Sequence, residues 1–286
     1  MIAKKPSSGP LTRVQLLYEI GLSPQWQLRA QRAVALAPSR VPAPLPDERC
    51  PAAANAITAI TELAPSPAAT GVPALARSQA IAGMSWEQLQ HSVTSCRACV
   101  LCQQRRQAVL GVGDVAAGWL FIGEGPGAEE DARGEPFVGP AGQLLDAMLA
   151  AIGLQRGRDV YIANAVKCRP PNNRTPESAE IATCAPYLQR QIALIQPRLI
   201  VLLGRAAAHA LLGEVGSLAS LRGQTFAYPV PQAGGRAIPV VVTYHPAYLL
   251  RTLTDKAKAW EDLCRARRLM RATQAAAAQA APSLPA

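Results

Sequence analysis

Several residue types are scarce in this chain of 286 residues. It has three histidines and three phenylalanines, and aromatic residues make up only 5% of it. No run of about 18 or more apolar residues occurs, so we expect no transmembrane helix. Met1 to Lys5 are followed by Pro-Ser-Ser-Gly-Pro rather than by an apolar stretch, which predicts no secretory signal. We therefore expect a cytoplasmic protein with no membrane association.

Acidic residues are also few relative to basic ones. The 29 Lys and Arg residues against 19 Asp and Glu give a net charge of +10 and a sequence pI of about 9.6. A basic surplus favours a polyanionic partner, because Lys and Arg neutralise phosphates and release counterions. Charge alone leaves a nucleic-acid partner and a merely solvated basic surface as equal alternatives.

Proline is concentrated near the N-terminus, where residues 1–85 hold 11 of the 25 prolines. We interpret residues 1–85 as a Pro/Ala-rich, largely disordered extension with a short helix at 11–20. Residues 38–83 lack sustained periodicity and are predicted to be a flexible linker. A folded domain is predicted over 86–271, followed by a disordered tail at 272–286.

Short apolar runs alternate with helical patterns in the predicted domain. Ser85 is a candidate N-cap for the first helix. Strands are predicted at 119–122, 160–166, 199–203 and 240–244, and helices at 141–152, 176–195, 205–212 and 255–272. This alternation predicts an α/β fold with a central, mainly parallel sheet and helices on both faces. Ligands of such folds bind beyond the carboxyl ends of strands, so segments 124–127 and 245–247 should converge.

Seven cysteines are present, an odd number in a chain without a visible secretory signal. A metal or catalytic role is therefore favoured over disulfides. Cys96 and Cys99 form a C-x-x-C pair, and Cys168 and Cys184 follow much later. All-thiolate ligation suits zinc or an iron–sulfur cluster, and spacing does not separate the two. Cys102 is a competing ligand, ranked lower because it starts an apolar stretch.

A Gly-Glu-Gly-Pro-Gly turn at residues 123–127 follows a predicted strand and lets the backbone approach a substrate closely. It has neither the lysine of a phosphate-binding loop nor the glycine spacing of dinucleotide folds. Glu124 and Glu130 are the candidate functional acids, whereas Glu129 and Asp131 fit an ordinary helix N-terminus.

Three polar or aromatic residues are candidates for recognising a planar base. Phe137 lies between Pro and Gly residues and is a candidate stacking platform. Asn164 ends a strand, where its amide can read a base edge. His245 precedes a proline and can donate to a developing anion. Near it, Leu249 or Leu250 could wedge into a base stack, with Arg251 on phosphate.

As an ordered set, these motifs resemble the family 4 uracil-DNA glycosylases, the iron–sulfur branch of their superfamily. The resemblance covers about residues 86–271. It is carried by the C-x-x-C at 96–99, the turn at 123–127, Pro-Phe-Val-Gly at 136–139, Tyr-Ile-Ala-Asn at 161–164, Lys-Cys-Arg-Pro-Pro at 167–171, Cys184 and His-Pro-Ala at 245–247.

The resemblance implies a three-layer α/β/α sandwich that acts on uracil-containing DNA. It implies hydrolysis of the N-glycosidic bond of uracil, which leaves an abasic site. It also implies a structural [4Fe–4S] cluster held by Cys96, Cys99, Cys168 and Cys184. A non-catalytic iron–sulfur or zinc DNA-binding module attached to replication or repair proteins is the alternative. Protein partners are not predictable, and a monomer is the default expectation.

The resemblance also assigns roles to single residues. Phe137 would stack on uracil, Asn164 would read its edge, and His245 would stabilise the negative charge on the ring. Gly125 stands where better-known uracil glycosylases carry Asp, which leaves water positioning to backbone groups and Glu124. The remaining expected contacts are Glu130 near the uracil C5 edge, Leu249 or Leu250 in the gap left by the flipped base, and Arg174 and Arg251 on DNA.

Overall fold

A computed structural model describes residues 72–213, 216–230 and 237–280. In this part of the chain, six strands form one sheet: β1 (Val112–Gly113), β2 (Trp119–Gly123), β3 (Val160–Asn164), β4 (Leu199–Leu203), β5 (Thr225–Tyr228) and β6 (Ile238–Thr243). Their order is β1-β3-β2-β4-β6-β5. The inner strands β3, β2, β4 and β6 are parallel, and the two edge strands are antiparallel. The predicted mainly parallel sheet is confirmed.

Helices connect the strands and flank the sheet. The α-helices are α1 (Val72–Ala82), α2 (Trp86–Ser95), α3 (Ala128–Arg133), α4 (Pro140–Ala151), α5 (Ser178–Ile195), α6 (Arg205–Leu212), α7 (Leu218–Leu221), α8 (Pro246–Leu249) and α9 (Lys256–Ala280). Short 3-10 turns lie at Val100–Gln103, Pro171–Asn173 and Leu253–Asp255.

The sheet is covered on both faces, because alternate side chains of each buried strand point to opposite sides. Phe121 and its same-face neighbours pack with α4 and α9, whereas Leu120 and its neighbours pack with α5 and α6. All five residues of β2, β3 and β4 are buried, as expected for central parallel strands. The three-layer α/β/α prediction is therefore confirmed.

Ser85 begins α2 as predicted. Its hydroxyl accepts a hydrogen bond from the Gln88 N–H, and the Gln88 side chain accepts one from the Ser85 N–H. This capping box satisfies backbone donors that the first turn would leave unpaired. The helix leads directly into the first cysteine pair, so its start fixes where Cys96 lies.

The structure extends the folded part beyond both ends of the predicted domain. Helix α1 lies within the linker predicted over 38–83; it packs against α5, with Ile81 buried. Arg190 in α5 donates to the Met84 carbonyl at 2.6 Å. Helix α9 continues to Ala280, beyond the predicted end of this helix at 272 and of the domain at 271. The helix predicted at 11–20 and most of the predicted extension lie outside the described residues.

Within the described ranges, no helix has the length and apolar content needed to span a bilayer.

Candidate active site

The carboxyl ends of β2 and β3 bring three predicted residues together. Gly123 and Asn164 are paired in register at the ends of these strands. A Cβ atom on Gly123 would come within 2.5 Å of both Asn164 Oδ1 and Phe137 Cζ. The amide and the aromatic ring therefore converge over Gly123, and only glycine leaves space between them.

Asn164 is buried, with 2% of its surface exposed, and its Oδ1 atom has no hydrogen-bond partner in the described part of the chain. A buried carbonyl oxygen without a partner is rare in folded proteins and indicates a missing donor. The backbone around it is fixed, because the buried Lys167 ammonium donates to the Asn164 main-chain carbonyl at 2.8 Å. Asn164 thus presents an unpaired acceptor from a rigid position.

The Phe137 ring also packs against the imidazole ring of His245. The two ring centroids are 5.5 Å apart, with 29° between the ring planes. Phe137 adopts a φ of 56°, which is uncommon for a residue with a side chain. A Cβ atom on Gly142 would overlap the Phe137 carbonyl. Glycine at this position therefore lets the first turn of α4 lie against the backbone of Phe137.

His245 is the N-cap of α8, directly beyond β6 and Tyr244. Its Nδ1 atom accepts a hydrogen bond from the Ala247 N–H at 3.1 Å. Burial, and to a lesser extent the positive charge of Arg251, lower the pKa of His245 to about 4. The imidazole is therefore neutral at pH 7 and carries its proton on Nε2, which is available as a donor.

Glu130 is committed to the loop that carries Phe137. Its Oε2 atom accepts from the Gly127 N–H at 3.0 Å, and Oε1 accepts from the N–H groups of Val138 and Gly139 at 3.0 and 3.2 Å. The carboxylate thereby ties the 123–127 turn to the Phe137 loop. Glu130 is a positioning residue in this arrangement, and a contact with the uracil C5 edge stays a prediction.

Glu124 differs from Glu130 in its surroundings. Burial raises the pKa of the Glu124 carboxyl above its usual range, and a hydrogen bond with Thr175 partly opposes that shift. Next to it, a Cβ atom on Gly125 would lie 2.8 Å from Val166 Cγ2. A side chain at position 125 would therefore have to displace the Val166 side chain.

The two candidate wedge residues have opposite environments. Leu249 is 1% exposed and belongs to the core cluster that contains Phe137, and its role as a wedge stays a prediction. Leu250 is 42% exposed and Arg251 is also exposed. Arg174 pairs with Glu180 at 2.7 Å and with Glu177 at 3.3 Å, which occupies its guanidinium.

The four cysteines predicted as ligands line one pocket. Cys96 and Cys99 enter it from the end of α2, Cys168 from the segment after β3, and Cys184 from α5. The described residues that line this pocket do not include Cys102. Among the described residues, no group of three or more Cys, His, Asp or Glu side chains has the arrangement of a single-ion site.

Basic groups surround this pocket. Arg105 Nη1 donates to Cys168 Sγ at 2.8 Å, and the Lys167 backbone N–H points to Cys184 Sγ at 3.4 Å. Arg77 of α1 also lines the pocket. Such donors stabilise thiolate sulfur. Sequence reasoning assigned no role to Arg105 or Lys167, although the position of Lys167 directly before Cys168 was a visible signal.

Comparison with known proteins agrees with this geometry. The family model of the uracil DNA glycosylase superfamily matches residues 110–264, more than half of the chain. The chain belongs to this superfamily. The match leaves out α1, α2 and the first cysteine pair. Individual relatives match longer segments of the chain.

Those relatives point to one branch of the superfamily. The chain is 41% identical to a type-4 uracil-DNA glycosylase of Pyrobaculum aerophilum over 184 residues, 63% of this chain and 92% of the relative. It is 43% identical to a type-4 uracil-DNA glycosylase of Archaeoglobus fulgidus over 170 residues, 58% and 83% of the two chains. A type-5 uracil-DNA glycosylase of Thermus thermophilus is 32% identical over 194 residues, 57% and 87% of the two chains.

Proposed function

We propose that this chain is a type-4 uracil-DNA glycosylase that removes uracil from DNA by hydrolysing its N-glycosidic bond. The observation that carries this proposal is the unpaired Asn164 Oδ1, buried beside the Phe137 ring over Gly123. Uracil offers what this space lacks: an N3–H donor for Oδ1, an adjacent carbonyl that the Asn164 amide can donate to, and a flat ring for Phe137.

The target base has to leave the duplex before it can enter this space. Flipping costs a few kcal/mol of lost pairing and stacking. Leu250 is the exposed apolar side chain next to the site and fills the gap in the base stack in this proposal. Arg251 follows it and contacts phosphate, which offsets part of that cost through electrostatic attraction.

Bond cleavage places negative charge on the departing base. The N1–C1′ bond breaks, and its electron pair moves onto the uracil ring and its carbonyl oxygen. His245 donates its Nε2 proton in a hydrogen bond to that oxygen, because Nδ1 is occupied by the Ala247 N–H. Loss of one such donor typically lowers the rate by about 10²–10³.

Water completes the reaction by adding its oxygen to C1′, and its released proton neutralises the uracil anion through solvent. Glu124 orients this water in our proposal, together with backbone groups of the 123–127 turn. Glu130 is the weaker candidate, because three backbone N–H groups already occupy its carboxylate.

The four-cysteine pocket fits a [4Fe–4S] cluster, because all four of its cysteines can act as thiolate ligands. Cys96, Cys99, Cys168 and Cys184 would hold the cluster. When bound, it would cross-link α2, the segment after β3 and α5.

Base release from synthetic DNA tests the proposal. Anaerobically purified protein is incubated with oligonucleotides that carry one uracil or one thymine, and abasic sites are cleaved and counted. We expect abasic sites with uracil only, and a much slower reaction with His245→Gln. Folded, DNA-binding protein that releases no uracil would instead support the non-catalytic module. The same preparation run through a sizing column tests the expected monomer.

A further inference from the structure

Arg156 lies in the connection between α4 and β3, outside all the motifs of the site. Its Nη1 atom donates to the Pro136 carbonyl at 2.9 Å, and Nη2 donates to the Phe137 carbonyl at 2.8 Å. Its Nε atom donates to Asp146 Oδ1 in α4 at 2.9 Å. One planar guanidinium thus joins the loop that carries Phe137 to the helix behind it.

The loop needs such support. Phe137 has a φ of 56°, and a residue with a side chain in this region costs about 1–3 kcal/mol unless its surroundings impose the conformation. Glu130 holds the N–H groups of Val138 and Gly139 from one side. Arg156 binds the carbonyl groups of Pro136 and Phe137 from the other side. Both sets are charge-assisted hydrogen bonds, which are about twice as strong as neutral ones.

We propose that Arg156 is a positioning residue that holds the Phe137 ring in place for the flipped base. It touches neither base nor sugar in this role, and Asp146 orients its guanidinium. The inference rests on the proposed function, because the Phe137 ring needs a fixed position only if a flipped base stacks on it. A phosphate contact is the competing role for a basic residue, and it predicts an effect on DNA affinity alone.

The chain offers a matched control for that competing role. Arg158 lies two residues away and is exposed, whereas the Arg156 side chain is only 23% exposed. Arg158→Ala removes the same charge from the same connection and leaves Pro136 and Phe137 untouched. Arg156→Lys keeps the charge but loses the fork that spans two carbonyls, so it should resemble Arg156→Ala.

A double-mutant cycle measures whether Arg156 acts through Phe137. Single-turnover uracil release is compared for wild type, Arg156→Ala, Phe137→Ala and the double variant, all with the same visible absorbance per chain. We expect Arg156→Ala to slow release by about 10- to 100-fold, since small misplacements near a reacting group cost that much. Inhibition by free uracil, which reports the base pocket without DNA, should weaken in parallel.

The cycle should be non-additive, with the double variant within about 2-fold of Phe137→Ala. Additive losses, or equal losses in Arg158→Ala, would overturn the proposal. Hydrogen exchange at the Val138 and Gly139 amides gives a readout that does not depend on activity. Faster exchange in Arg156→Ala than in Arg158→Ala is expected, and equal exchange would refute the role even if wild type released no uracil. Wild-type activity alone decides the proposed function.

Discussion

In the proposed mechanism, Asn164 reads the edge of the flipped base. Its amide can donate to one uracil carbonyl while its oxygen accepts from the ring N–H, whereas a carboxylate can only accept. We expect Asn164→Asp to lose discrimination between uracil and cytosine, because cytosine presents an amino group where uracil presents a carbonyl. Release of both bases from matched oligonucleotides measures this. Unchanged selectivity in a folded variant would remove Asn164 from the recognition site.

The buried imidazole of His245 predicts a pH dependence of stability. Its pKa is lowered to about 4, so the unfolded chain binds a proton more tightly than the folded protein between about pH 4 and 6.5. The stability linked to this group is therefore complete above about pH 6.5 and is lost as the pH falls towards 4. His245→Gln should flatten that part of the profile.

Urea unfolding midpoints at several pH values test this prediction. Carboxylates also protonate in the same range, so the informative quantity is the difference between wild type and His245→Gln. A difference that grows as the pH rises from 4 to 6.5 is expected. A constant difference would mean that the imidazole titrates normally in the folded protein.

Leu249 and Leu250 form an adjacent pair with opposite expected effects. Leu249→Ala removes a buried side chain and should lower the free energy of unfolding by about 2–5 kcal/mol. Leu250→Ala should change stability by less than about 0.5 kcal/mol, as exposed substitutions do. Only Leu250→Ala should slow uracil release from duplex DNA more than from single strands. The reverse pattern would identify Leu249 as the wedge.

Residue identities were more predictable than residue environments. Asn164, Phe137 and His245 could be proposed from their places after strands and between Gly and Pro residues. The burial of Leu249 could not, because it depends on packing against α4. The three hydrogen bonds of Glu130 could not be predicted either. They join the 123–127 turn to the Phe137 loop, and helix α3 separates these two segments in the sequence.

Elements with a strong local pattern were predicted well. Strand β4 and helix α6 match their predicted bounds, because Leu199–Leu203 is uniformly apolar and Gly residues precede and follow Arg205–Leu212. The edge strands β1 and β5 were missed. β1 has only two residues, and β5 pairs on one side only, so neither needs a continuous apolar run. Helix α1 was missed because its burial comes from contacts with α5.

The cysteine pocket joins three elements, so loss of one proposed ligand should act on all of them. Cys168→Ala should lower the iron content, the visible absorbance and the unfolding midpoint together, because cluster binding is coupled to folding. Cys102→Ala is the matched control and should retain colour and stability. Retained colour in Cys168→Ala with loss in Cys102→Ala would exchange the two cysteines in the ligand set.

Over the whole molecule, the basic surplus of +10 favours phosphate contacts, and these contacts should make DNA affinity depend steeply on salt. Each phosphate contact releases counterions, so the logarithm of the association constant falls linearly with the logarithm of salt concentration. Arg251 is exposed beside His245 at the carboxyl edge of the sheet, where DNA binds in our proposal. Arg251→Ala should therefore reduce the slope by about one.

Arg198 provides the matched control for that slope. It is exposed and directly precedes β4, at the opposite edge of the parallel strands. Arg198→Ala removes the same charge from the molecule, yet it should leave the slope unchanged because DNA binds at the carboxyl edge in our proposal. Equal reductions of the slope in both variants would mean that DNA affinity depends on the total charge of the protein rather than on contacts at the carboxyl edge of the sheet. Inhibition by free uracil should be nearly independent of salt in all three proteins, because the neutral base reports the pocket without the phosphates.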